Sequence, residues 1–184
     1  MNPRLLEKGI FAIKDCRHGT FLYNLHDLFI SKALDLYGEW CEPEIETLVP
    51  YIPEGGVVLD IGANIGTHAV AFAQKTGPSG HVLAFEPQRL IHYMLCANAV
   101  LNGLTHLHCL KLAVSDAPGK ARIPLKRLDA EFNFGCVSLE ANAENGKIGT
   151  SEAVDCITVD SLRLSRCDVI KADVEGYEER VIRG

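Results

Sequence analysis

The chain has no apolar stretch near the ~20 residues needed to cross a bilayer, and Met1-Asn2-Pro3-Arg4-Leu5-Leu6-Glu7-Lys8 lacks the apolar core of a secretory signal. A soluble, cytoplasmic protein without a membrane partner is the expectation. There are seven cysteines, an odd number with no C-x-x-C pair, and several lie within apolar runs. They read as small core residues of a reducing compartment, not as a disulfide framework or zinc site. Clustered positive charge is also scarce. The net charge is −6, and the basic clusters are Lys120-Ala121-Arg122 and Lys126-Arg127. That argues against a nucleic-acid partner, whose phosphates call for grouped Lys and Arg. His106 and His108 have no carboxylate or cysteine at ligand spacing, so no metal is expected. Cys136 has no neighbouring histidine to activate it as a nucleophile. What remains is an ordinary globular composition, 47% apolar and 23% charged over 184 residues, of single-domain size.

The most informative stretch is Val57-Val58-Leu59-Asp60-Ile61-Gly62-Ala63-Asn64-Ile65-Gly66-Thr67-His68. An apolar run ends in an acid, passes through two glycines and becomes a helix-like pattern. This is strand, tight turn and helix, which builds a nucleotide pocket. A second strand, His81-Val82-Leu83-Ala84-Phe85, delivers Glu86, 20 residues after Gly66. Nucleotide folds place an acid for the ribose hydroxyls at that distance. Solvated strand ends are the plain alternative for Asp60 and Glu86.

The full G-x-G-x-x-G of a dinucleotide fold is absent, because Ala63 and Asn64 stand between the glycines. Asp60 would sit badly beside a pyrophosphate. The loop better suits a ligand with no phosphate and a positive centre, such as S-adenosylmethionine, than NAD.

Along the chain, Phe11–Lys14 and Thr20–Tyr23 suggest a hairpin, followed by helices over Phe29–Leu36 and Glu44–Tyr51. Residues 1–53 form this leading segment and residues 54–184 the nucleotide-binding domain. In the latter a helix covers Gln88–Leu101 and a third core strand Leu107–Val114. Ala121–Leu125 and Val154–Val159 are further strands, separated by a surface loop over Asp129–Thr150. Asp168–Asp173 is a last strand, with a helix beginning near Tyr177. This alternation means an α/β fold, a mostly parallel sheet with helices on both faces. Asp60, Glu86, Asp116 and Asp173 all stand at strand ends, on the edge where such sheets bind ligands.

With these residues in view, the chain resembles the FkbM family of S-adenosylmethionine-dependent methyltransferases. The likeness starts at Tyr37-Gly38-Glu39-Trp40 and continues through Val58–Gly66, Ala84-Phe85-Glu86-Pro87, Ala113-Val114-Ser115-Asp116 and Asn133-Phe134-Gly135. It closes with Ile170-Lys171-Ala172-Asp173-Val174-Glu175-Gly176-Tyr177-Glu178, its most specific motif. The resemblance implies a Rossmann-like class I fold and methyl transfer to an oxygen of a small molecule or glycan. It implies that Asp60, Gly62, Asn64 and Gly66 line the cofactor's methionine end and that Glu86 and Pro87 meet the ribose. Ser115 and Asp116 would lie by the adenine, and Glu39 with Trp40 would cover the pocket. Asn133 and Gly135 would belong to an acceptor-side loop. Asp173 or Glu175 would be the catalytic base, with helix capping as the alternative role. Tyr177 has either an acceptor contact or a place on the helix surface, and His68 packs or caps its helix.

Relatives of this fold continue through three more strands after the one ending at Asp173, whereas Arg180-Val181-Ile182-Arg183-Gly184 closes this chain. The expectation is a shortened domain or a piece of a longer one, lacking the C-terminal strands. Its open sheet edge invites self-association. A cofactor-binding protein without turnover and an NAD-linked oxidoreductase are the competing functions.

Overall fold

A computed structural model describes residues 2–137 and 151–184. The elements in chain order are β1 (Arg4–Lys8), β2 (Phe11–Cys16), β3 (Gly19–Asn24), α1 (Ile30–Tyr37), α2 (Glu42–Leu48), β4 (Val57–Ile61), α3 (Thr67–Thr76) and β5 (His81–Phe85). There follow α4 (Arg89–Leu101), β6 (Leu107–Leu110), β7 (Ala113–Val114), β8 (Gly119–Pro124), β9 (Ser151–Ile157), β10 (Val169–Ala172) and α5 (Glu178–Arg183).

The central sheet is wholly parallel, in the order β10-β4-β5-β6. β4 reads as a continuous apolar run because both its faces are covered. Val58 joins the core built with α3 and α4, while Leu59 and Ile61 face the opposite cluster with Phe85 and Val181 of α5. Since β5 and β6 extend one way from β4 and β10 returns to its other flank, strand order reverses between β4 and β10. Ligands of open α/β sheets bind beyond the strand ends at such a point.

The N-terminal hairpin is part of a three-stranded antiparallel sheet, β1-β2-β3, with β1 an additional exposed strand. Its Ala12, Phe21 and Tyr23 belong to the same buried cluster as Val58 and Phe72. The free edge of β3 is met by a helix. Asn98 of α4 accepts from Leu22 N–H at 2.7 Å and donates to Leu22 C=O at 3.1 Å. Asn102 repeats the pairing with Thr20 N–H at 2.9 Å and Thr20 C=O at 2.8 Å. Four residues of helix rise about 6 Å and two residues of strand about 6.6 Å. Two side-chain amides at i and i+4 therefore match one strand edge.

Three sequence expectations change. The strand expected over Leu107–Val114 breaks at Lys111-Leu112: β6 stays in the central sheet, and β7 leaves it for a third sheet ordered β7-β9-β8. The helix expected over Glu44–Tyr51 ends at Leu48, and Val49–Tyr51, carrying Pro50, is a 3-10 turn. The loop expected over Asp129–Thr150 is not all surface, since Phe134 is buried; residues 138–150 of it lie outside the described residues.

Candidate functional site

Beyond the carboxyl ends of β4, β5 and β10 lies a cleft of about 910 Å³ of empty space, its open mouth included. The turn after β4 makes its floor. Gly62 N–H and Ala63 N–H both donate to Phe85 C=O at 3.0 Å, folding the loop over the end of β5. Gly62 has φ +79°, and a β-carbon there would stand 1.9 Å from the Asp173 carbonyl oxygen. The loops after β4 and β10 thus touch backbone to backbone, which only glycine permits.

Glu86 forms one end of the cleft. It is buried, accepting from Asn64 N–H at 3.0 Å and Gln88 N–H at 2.8 Å. Burial pushes its carboxyl up to about 7, although both backbone donors favour the charged form. Asn64 adopts the left-handed conformation (φ 51°) that aims its N–H at Glu86. Of the described non-glycine residues with positive φ, Cys41, Asn64 and Glu175 line the cleft and Arg163 does not. Backbone strain of this kind gathers at functional sites.

The other end is a cluster of charges. Asp60 is fully buried and neither of its oxygens accepts a hydrogen bond. Lys171, its register partner on β10, brings Nζ to 3.2 Å from Asp60 Oδ1 and 3.9 Å from Asp173 Oδ2, and donates to Gly62 C=O at 3.1 Å. Burial alone would lower the Lys171 ammonium, but Asp60 and Asp173 outweigh it and hold it above the ordinary lysine value. His68 and Glu44 complete this end, with His68 Nε2 3.2 Å from Glu44 Oε2.

The remaining wall comes from two segments. Asn133 and Gly135 line the cleft, and Asn133 Oδ1 accepts from Gly135 N–H at 3.0 Å. Their loop is anchored by Phe132, which pairs with Asp27, and by Gln88, whose amide donates to Phe134 C=O at 2.9 Å. Trp40 and Cys41 line the N-terminal side.

Gly62, Asn64, Glu86, Pro87, Asn133, Gly135, Asp173 and Glu175 therefore come together as the sequence suggested. Asp60 lies beneath the floor and does not reach the wall itself. Gly66 packs against Leu95 instead, where a β-carbon would come within 2.6 Å of Leu95 Cδ1. Glu39 turns to Arg17 at 3.0 Å, and Tyr177 stacks with Arg180 at 5.0 Å. Ser115 and Asp116 follow β7 into the third sheet, where Ser115 donates to Asp116 at 3.0 Å and Asp116 pairs with Arg180 at 3.9 Å. Neither lines the cleft. Sequence reasoning gave no role to Lys171 or Glu44 and only packing or capping to His68. The one signal for Lys171 was its place two residues before Asp173 on a strand, which puts both on one side.

The model of the family described as "Methyltransferase FkbM domain" matches residues 60–184. The Hexuronic acid methyltransferase AglP of Haloferax volcanii is 32% identical over 165 residues, covering 84% of this chain. The chain spans 59% of that relative's length. Among solved structures, a SAM dependent methyltransferase from Aquifex aeolicus aligns at 26% identity and a TM-score of 0.36, covering 44% of this chain and 40% of that one. M. jannaschii TYW2 in complex with AdoMet aligns at 18% and 0.44, covering 60% and 53%. With the family model matching well over half of its length, this chain belongs to the FkbM methyltransferase family.

Proposed function

We propose that this chain binds S-adenosylmethionine across the β4–β10 junction and transfers its methyl group to a hydroxyl oxygen of a small molecule or sugar. The observation that carries this reading is the buried Glu86 in the wall of a cleft that opens beyond the carboxyl ends of β4, β5 and β10. Glu86, fixed by two backbone donors, keeps lone pairs for the two ribose hydroxyls.

When bound, the cofactor supplies a methyl carbon made electrophilic by the attached sulfonium. The chain's contribution is to position and to exclude water. Glu44, Asp60 and Asp173 gather negative charge at the end away from Glu86, which favours a positive centre there. The same charges disfavour NAD, whose pyrophosphate would meet them; Lys171, the lysine of the wall, is already held by Asp60 and Gly62. Asp173 and Glu175, at the rim, face the acceptor side. The loop holding Asn133 and Gly135 shapes the acceptor's berth, and the hexuronic acid methyltransferase relative supports a sugar among the candidate acceptors.

Calorimetric titration with S-adenosylhomocysteine tests this reading, with NAD as comparison and Glu86→Ala as control. Binding of the first ligand alone, lost in the variant, is expected. A folded chain that binds neither ligand, or prefers NAD, sinks it.

A further inference from the structure

His68 is the polar group of the cleft whose surroundings packing does not explain. It stands in the first turn of α3, 5% exposed, with its ring tilted against Phe72 at a centroid distance of 5.8 Å. Its Nε2 is shielded from water and makes no hydrogen bond, yet Glu44 Oε2 lies 3.2 Å away. A buried polar nitrogen without a partner is costly unless its use lies in another state of the site.

The charged groups that act on the ring are Asp60 from β4, Lys171 from β10, Asp173 just beyond its end, and Glu44 from α2. Burial, the largest influence, pushes the imidazole below its ordinary value, and the three carboxylates do not fully offset burial and Lys171. The ring is therefore neutral at pH 7 and free to accept a proton, while a carboxylate stands ready beside the cation that would form. Three carboxylates against one ammonium also suit a sulfonium here better than the cofactor's own carboxylate. The other candidates for the base are less shielded. The Asp173 side chain is 66% exposed and Glu175 is exposed, so water competes for their lone pairs.

On the cofactor reading above, we propose that His68 takes the acceptor's hydroxyl proton at Nδ1 and that Glu44, beside Nε2, holds the resulting imidazolium. The acceptor oxygen bonds to the methyl carbon, the carbon–sulfur bond breaks with its electron pair remaining on sulfur, and the hydroxyl proton moves to the imidazole. Glu44 is then a positioning residue, acting through His68.

The test needs no knowledge of the acceptor. Sinefungin carries an ammonium-bearing carbon in place of the methyl-bearing sulfur, so its ammonium points where the methyl would. Wild type, His68→Phe, His68→Gln and Glu44→Gln are titrated with sinefungin and with S-adenosylhomocysteine. His68→Phe should weaken sinefungin about tenfold, the worth of one hydrogen bond to a charged group, and S-adenosylhomocysteine less than about twofold. His68→Gln, which keeps an acceptor atom, should recover part of the loss. The wild-type preference for sinefungin should persist at pH 7 and fade in acid as the ring charges.

Equal weakening of both ligands makes His68 an ordinary wall residue and overturns the assignment, as does no change in either. Wild type that binds neither ligand defeats the cofactor reading itself, a distinguishable result. If His68→Phe does not fold, imidazole nitrogen shifts of wild type decide: a His68 signal that responds to sinefungin and not to S-adenosylhomocysteine is required, and its absence overturns the assignment.

Discussion

Lys171 and Asp60 face one another across adjacent parallel strands, their charged atoms 3.2 Å apart with Asp60 wholly buried. The pair sits below Gly62, whose carbonyl accepts from the same ammonium. Removing one partner leaves the other charge buried and uncompensated. Lys171→Met should cost roughly 3–5 kcal/mol in chemical denaturation, and adding Asp60→Asn should return much of it. A single variant as stable as wild type would show that the pair is not coupled.

The raised carboxyl of Glu86 predicts opposite pH trends for stability and binding. Its folded value of about 7 lies above the ordinary 4.5, so the folded state binds this proton more tightly. That contribution to stability is fully present below about 4.5 and is lost as pH rises through 7, a difference of about 3 kcal/mol by linkage. Glu86→Gln should remove this part of the pH dependence, read as the change in denaturation free energy between pH 4.5 and 8 relative to wild type. Affinity for S-adenosylhomocysteine should instead rise as Glu86 ionises, because the carboxylate is the better acceptor for hydroxyls.

The two glycines of the turn should differ. Gly62→Ala forces a β-carbon into the Asp173 backbone at a left-handed φ, whereas at Gly66 the obstacle is the flexible end of Leu95. Conformational strain of roughly 1–2 kcal/mol applies to both, and backbone overlap adds roughly 1–3 kcal/mol at Gly62. Gly62→Ala should abolish ligand binding and lower the melting temperature more than Gly66→Ala. The reverse order would contradict the contact between the two loops.

Asn98 is fully buried and also donates to Ile65 C=O at 2.8 Å, linking β3 to the glycine turn. Asn98→Ala leaves Leu22 N–H and two carbonyls without partners, at about 1–3 kcal/mol for each group left unsatisfied. Asn102→Ala should cost less, because Asn102 is itself only half-buried whereas Asn98 is fully buried. Thermal melts of the two variants check the order.

β10 is the last strand on its side of the described central sheet, and Ile170 on it is 49% exposed. An open edge with an apolar side chain pairs readily with another chain. Sedimentation at rising concentration should show self-association. A single monomeric species throughout would show that the edge is protected.

Much of this site could be read along the chain. The order of apolar run, Asp60, Gly62, Gly66, second strand and Glu86 is short-range information, and it determined a parallel α/β core with a nucleotide-type turn. Asn133, Gly135, Asp173 and Glu175 belong to motifs whose strand and loop settings were also legible. Lys171, His68 and Glu44 were not, because their meaning depends on register and on burial, which sequence spacing does not state. Nor could the sequence show that Lys111-Leu112 turns Ser115 and Asp116 into another sheet, since β7 chooses between β5 and β9 only by long-range pairing.

The sequence by itself determined the core strands β4, β5 and β10, where the turn needs glycine and which acids end those strands, because each follows from local sterics and hydrophobic period. Only the tertiary structure decided which acids share a cleft and which charges lose their water. It also decided that an α4 side-chain amide would complete the edge of β3. These depend on contacts between distant segments, such as Leu22 with Asn98 and Asp60 with Lys171, whose energies arise only when folding removes solvent from both partners.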